Sequence, residues 1–82
     1  MISKKEAFNI AQKLYGDRIA ADYEVNNYQD TSYVAYVTTN HSNVWCVSFL
    51  DNSFEGIQST TIVLIHKETG EVLYHGSGGN EG

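Results

Sequence analysis

The chain has 82 residues, enough for one domain, and its 41% hydrophobic and 18% charged residues are typical of a globular protein. Ten acidic residues against five basic ones give a net charge of −5 at pH 7, which argues against nucleic acid as a partner because phosphate contacts need clustered Lys and Arg. No apolar run approaches the roughly eighteen residues of a membrane span. The chain also begins without an apolar leader, so we expect a cytoplasmic location and no membrane partner.

The first element is a helix predicted over residues 3–15. Ser3-Lys4-Lys5-Glu6 has the form of a capping box, in which the Ser3 hydroxyl and the Glu6 carboxylate each accept from the other's backbone N–H. Ile2 and Ala7 occupy the positions of a hydrophobic staple. Gly16 suits the left-handed residue that ends a helix. The predicted apolar stripe consists of Ala7, Ile10, Ala11 and Leu14, widened by Phe8 and Tyr15.

Strand patterns follow the helix. Residues 23–28 form a short candidate edge strand, and residues 32–39 and 44–50 are rich in β-branched and aromatic side chains on either side of the turn 40–43. A hairpin centred on that turn predicts three cross-strand pairs: Thr38 with Trp45, Tyr36 with Val47, and Val34 with Phe49. This register places Trp45, Val47 and Phe49 under the helix, and the alternate residues Val44, Cys46, Ser48 and Leu50 on the other face. Residues 51–59 are predicted to be a loop.

A last hairpin is predicted from residues 60–66 and 71–75, with Gly70 in a left-handed position of the turn 67–70. Its predicted pairs are His66 with Val72, Ile65 with Leu73, and Leu64 with Tyr74. The expected fold is therefore α+β, with one N-terminal amphipathic helix packed on a three- to four-stranded antiparallel meander. The domain is expected to span 1–76, followed by a flexible tail at 77–82 of linker composition.

Both ends of the chain resemble a known family. A helix with Glu6, Ala7, Ile10 and Ala11, and a hairpin with Lys67, Thr69, Gly70 and Val72, look like the two ends of a PepSY-type domain. With the tryptophan strand Val44-Trp45-Cys46-Val47 between them, the same elements are similar to small bacterial immunity proteins that neutralise secreted toxins. Both resemblances imply a domain that binds or inhibits another protein and has no active site.

We find no pattern that predicts an enzyme, a metal site or a cofactor. Cys46 lies in mid-strand among valines, where burial raises a thiol pKa and makes the thiol inert. His41, His66 and His75 form no metal-ligand spacing, and the predicted hairpin sends the last two to opposite faces.

The aromatic residues suggest where a partner would bind. Ten aromatic side chains, six of them tyrosine, exceed what one helix can cover, so an exposed sheet face is expected. The candidate interface consists of Tyr28, Tyr33, Phe54, Ile57 and Tyr74. In the alternative, the 51–59 segment folds back and covers that face.

The predicted function is a non-catalytic protein-interaction module, for example an inhibitor or immunity-type protein that binds through the open sheet face. The acidic charge favours a basic protein partner, and a homodimer through the same face is a further alternative. The rival hypothesis is a small-ligand domain with a cavity between helix and sheet, lined by Tyr36 and Trp45.

Overall fold

The structure is a computed structural model that describes residues 1–19, 23–31, 40–54 and 57–77; the side chains of 18, 51–54, 57–59 and 77 are outside this description. One helix, α1 (Lys4–Tyr15), precedes four strands: β1 (Glu24–Asn27), β2 (Val44–Phe54), β3 (Ile57–His66) and β4 (Val72–Ser77). The strands pair antiparallel in the order β1-β2-β3-β4. The predicted α+β class, a helix on an antiparallel meander, is confirmed.

The capping box sets the start of α1. The backbone N–H of Ser3 donates to Oε1 of Glu6 over 2.8 Å, and the backbone N–H of Glu6 donates to Oγ of Ser3 over 3.2 Å. At the other end Gly16 has a φ of 58°, a conformation that costs glycine little because it has no Cβ. Both predicted helix signals are therefore confirmed.

The buried face of α1 is rotated relative to the predicted stripe. Ala7 and Ala11 are fully buried and Tyr15 packs on the sheet, but Leu14 is 46% exposed. The prediction that Leu14 belongs to the buried stripe is wrong. The Tyr15 ring meets the Phe49 ring edge-on at 5.2 Å, so the larger aromatic side chain covers the sheet at this end of the helix.

The 51–59 segment is not a loop, so that prediction is wrong. Leu50 pairs with Thr60, Asp51 with Ser59, and Phe54 with Ile57, so β2 and β3 form one long hairpin. A register shift between Asp51 and Phe54 accommodates the polar, non-alternating stretch that conceals this strand in the sequence.

The pairs predicted for Trp45 and Val47 of β2 are also wrong. Trp45 is flanked by Asn27 of β1 and Ile65 of β3, and Val47 is flanked by Val25 and Val63. Both edges of β2 are taken at these positions, so neither Thr38 nor Tyr36 is the partner. The proposed strand 32–39 itself lies outside the described residues. The edge strand predicted at 23–28 is confirmed as β1.

One bulge changes the last hairpin. Gly70 has the predicted left-handed φ, 77°, and its N–H donates to the carbonyl of His66 over 2.8 Å. The His66 N–H in turn donates to the carbonyl of Glu71. Leu64 pairs with Tyr74 as predicted, but Ile65 pairs with Val72 because the register shifts there. The predicted pairs His66 with Val72 and Ile65 with Leu73 are wrong.

The sheet buries both of its faces. The face under α1 carries Val47, Phe49, Val63 and Ile65, in agreement with the prediction for β2. We call the opposite side the second face; Val44, Cys46, Ile62 and Leu64 form its centre, and none of them is more than 1% exposed. Tyr28, itself only 4% exposed, packs against this group, as do the half-buried Leu73 and Tyr74. The expectation of an open apolar face is therefore wrong at the centre of the sheet. The alternative, in which the 51–59 segment folds back over that face, is wrong as well, because residues 51–54 and 57–59 continue β2 and β3.

Candidate functional site

The five predicted interface residues do not form one exposed patch in the described part of the chain. Tyr28 lies in a short 3-10 turn and is buried, with its ring 4.6 Å from that of His41, so the prediction that it is exposed is wrong. Tyr74 is half-buried against the second face. Phe54 and Ile57 pair through their backbones, while their side chains, like all of Tyr33, lie outside the described residues.

A concave surface occurs elsewhere, between the first half of α1 and strand β1. We call it the α1–β1 groove; it encloses about 550 Å³, is open to solvent, and is lined by Lys4, Lys5, Phe8, Asn9, Tyr23 and Val25. One and a half turns of helix supply one wall and the start of β1 supplies the other. Its volume falls in the range of ligand-binding clefts.

Two stacked rings form the apolar part of this groove. The centroids of Phe8 and Tyr23 are 4.0 Å apart and their planes differ by 18°. Phe8, on the helix wall, and Val25, on the β1 wall, also pack against the buried cluster under α1, so both walls of the groove are anchored to the core. Tyr23 is 37% exposed, so its ring offers a preformed aromatic surface to a partner.

The polar part of the groove is cationic. Lys4 and Lys5 are the first two residues of α1, where the helix dipole disfavours positive charge. Among the described residues no carboxylate pairs with either ammonium group. The placement of these two lysines therefore contributes little to the stability of the helix and leaves both charges available.

The cationic surface continues beside the groove, where two lysines lie over the ring of Trp45. The ammonium group of Lys67 lies 4.4 Å from the centroid of the Trp45 ring, and that of Lys4 lies 5.9 Å from it; both distances are within cation–π range. The indole N–H donates to the carbonyl of Ile2 over 3.1 Å, and Lys67 Nζ also donates to Oδ1 of Asn27. Three of the five basic residues of this acidic chain are therefore on one side of the molecule.

Cys46, His66 and His75 are the remaining side chains with candidate chemistry. Burial raises the pKa of the Cys46 thiol to about 12, as the sequence predicted for a core cysteine. The Tyr15 hydroxyl is 3.0 Å from Nδ1 of His75, and Nδ1 of His66 accepts from the backbone N–H of Glu68. Within the described ranges there is no group of three metal-ligating side chains and no helix long and apolar enough to cross a membrane.

The space between α1 and the sheet bears on the ligand-cavity hypothesis. Ala7, Ala11, Val47 and Val63 are fully buried there and pack in one cluster. Trp45, one of the predicted cavity residues, faces this side but is engaged by Ile2 and Lys67. Tyr36, the other, lies outside the described residues.

Sequence reasoning missed the α1–β1 groove. The sequence pattern predicts Phe8 in the helix stripe and Tyr23 in the edge strand, and fifteen positions separate them in the chain. The available signal was the pair of lysines at the start of α1, a position that usually favours acidic residues.

Comparisons with known proteins add no relative to this picture. No protein-family model, curated protein or solved structure gives a significant match to the chain.

Proposed function

We propose that the chain is a non-catalytic interaction module that binds a protein partner, and that the α1–β1 groove is its docking surface. The observation that carries the proposal is the stacked pair Phe8 and Tyr23, which is anchored in the core through Phe8 and lies beside Lys4 and Lys5, neither of which pairs with a carboxylate among the described residues. Aromatic side chains held rigid at the surface lose little conformational entropy on binding, and they dominate the energetics of many interfaces.

The location differs from the open sheet face expected from the sequence. The centre of the second face is already buried within one chain, so it has little apolar surface left to contribute to a complex. The groove, in contrast, combines a concave shape with an exposed ring. The resemblance to PepSY-type and immunity proteins supports the same class of function and is itself still a prediction.

A peptide-display selection tests this proposal without a known partner. The full chain is immobilised, a random peptide library is selected on it, and the affinities of enriched peptides are measured by fluorescence anisotropy. Tyr23→Ser should weaken their binding by about tenfold or more, because truncation of an interface tyrosine commonly costs over 1.4 kcal/mol. Leu14→Ala is the control, since Leu14 is exposed on α1 and does not line the groove.

Circular dichroism and thermal unfolding would establish that both variants remain folded. The proposal fails if no peptide is enriched, or if the enriched peptides bind the Tyr23 and Leu14 variants equally well.

A further inference from the structure

We infer that the α1–β1 groove takes an acidic peptide segment, one that places an apolar side chain on the Phe8–Tyr23 pair and carboxylates against Lys4 and Lys5. This inference rests on the proposed function and specifies the chemistry of the partner. It also reverses the expectation, drawn from the net charge, that the partner is basic.

The charge of the groove is opposite to that of the whole chain. The protein carries −5 overall, yet both charged residues that line the groove in the described part of the chain are lysines. The closest acids along the described chain point elsewhere. Glu6 is held by the Ser3 N–H in the capping box, and Glu24 accepts from the Asn26 side chain on the opposite face of β1 from Tyr23 and Val25.

The capping box occupies two of the four backbone N–H groups at the start of α1. Ser3 and Glu6 already satisfy each other's backbone N–H groups. An anion in the groove would be attracted by the ammonium groups of Lys4 and Lys5, while the N–H of Glu6 is already taken by Ser3. Lys67, beside Trp45, extends the same positive surface beyond the groove.

A peptide fits the shape of the groove better than a small anion. Small-molecule sites bury most of their ligand, whereas this groove is open along one and a half helical turns. Asn9 adds a side-chain amide that can both donate to and accept from a peptide backbone. The ring surface and the two ammonium groups then suit a segment that alternates apolar and acidic side chains.

Three labelled peptides that share one phenylalanine test the inference. One carries Asp and Glu on both sides of the phenylalanine, the second carries Asn and Gln, and the third carries Lys. Anisotropy with the full chain should give the tightest binding for the acidic peptide, with affinity falling as NaCl rises from about 50 mM to about 500 mM. Lys5→Glu should weaken the acidic peptide by about tenfold, because it replaces an attraction with a repulsion.

Lys13→Glu is the matched control, because it makes the same charge change on α1 at an exposed position outside the groove. It should change the affinity by less than about twofold, through long-range charge alone. Equal loss in the Lys5 and Lys13 variants would overturn the inference, since net charge would then explain the binding.

The other outcomes distinguish this inference from the proposed function. If the amide or the Lys peptide binds best and Tyr23→Ser abolishes that binding, the acidic partner is wrong and the protein-binding groove stands. If the chain binds vesicles of phosphatidylcholine and phosphatidylserine but none of the peptides, the inference is overturned in favour of a lipid surface. If no peptide binds here or in the display selection, both proposals fail.

Discussion

The buried second face makes a quantitative prediction about two isoleucines of β3. Ile62 and Ile65 are both fully buried, but Ile62 lies on the second face and Ile65 lies under α1. Ile→Val at either position removes one buried methylene, which costs about 1 kcal/mol from lost transfer energy and the small cavity left behind. We therefore expect the two variants to be destabilised about equally.

Urea unfolding followed by circular dichroism measures the effect. With a slope of about 1 kcal/mol per molar for a chain of this size, each variant should unfold at a midpoint about 1 M lower than the wild type. Leu14→Ala is the exposed control and should shift the midpoint by less than half as much. A midpoint unchanged by Ile62→Val but lowered by Ile65→Val would refute the reasoning, because it would mean that the second face is open in solution.

Three further predictions concern local features. Ser3→Ala removes the acceptor for the Glu6 N–H and should lower the free energy of unfolding by about 1 kcal/mol in urea titrations; no loss would mean that the box contributes nothing. Gly70→Ala places a Cβ at a φ of 77° and 3.4 Å from Cδ1 of Ile10, so thermal unfolding should show a loss of about 1–2 kcal/mol, and an unchanged Tm would contradict the turn geometry. For Cys46, the folded state favours the neutral thiol because its pKa is raised from 9.0 to about 12. The contribution of the thiol to the free energy of unfolding is therefore complete below about pH 8 and is lost as the pH rises from 9.0 towards about 12. Between about pH 9 and 10.5, the free energy of unfolding of the wild type should fall by about 1.5 kcal/mol more than that of Cys46→Ala. Parallel pH profiles would contradict the burial of the thiol.

Local signals explain what the sequence could predict. The capping box and Gly16 define α1 because the groups that satisfy a helix end lie within a few residues of it. Gly70 identifies its turn for the same reason, since a left-handed position favours glycine wherever it occurs. Alternation along β2 predicts that Trp45, Val47 and Phe49 lie under the helix, whichever strands pair with β2.

Non-local pairing explains what the sequence could not predict. The neighbours of β2 are β1 and β3, and choosing between them and the 32–39 segment requires comparing pairings across the whole chain. The extra residue near Leu73 reverses the faces of Val72 and Leu73, and no residue type in that stretch marks a bulge. The polar residues 51–53 resemble a loop although their backbones continue the strand.

The candidate site was missed for a related reason. The groove depends on Phe8 and Tyr23 meeting across the helix–sheet boundary, which only the packing of α1 beside β1 brings about. Net charge was also a poor guide, because three lysines gathered on one side create a local field opposite to that of the whole chain.

The central claim, that the α1–β1 groove is the docking surface, is tested most directly by amide chemical-shift mapping. A ¹⁵N-labelled full chain is titrated with the acidic phenylalanine peptide, and the shifts are followed residue by residue. If the groove is the docking surface, saturable changes should be concentrated at Lys4 to Asn9 and at Tyr23 to Val25, with the amides of Ile62 and Leu64 nearly unchanged. Saturable changes centred on β3 and β4, with the groove amides unmoved, would contradict it.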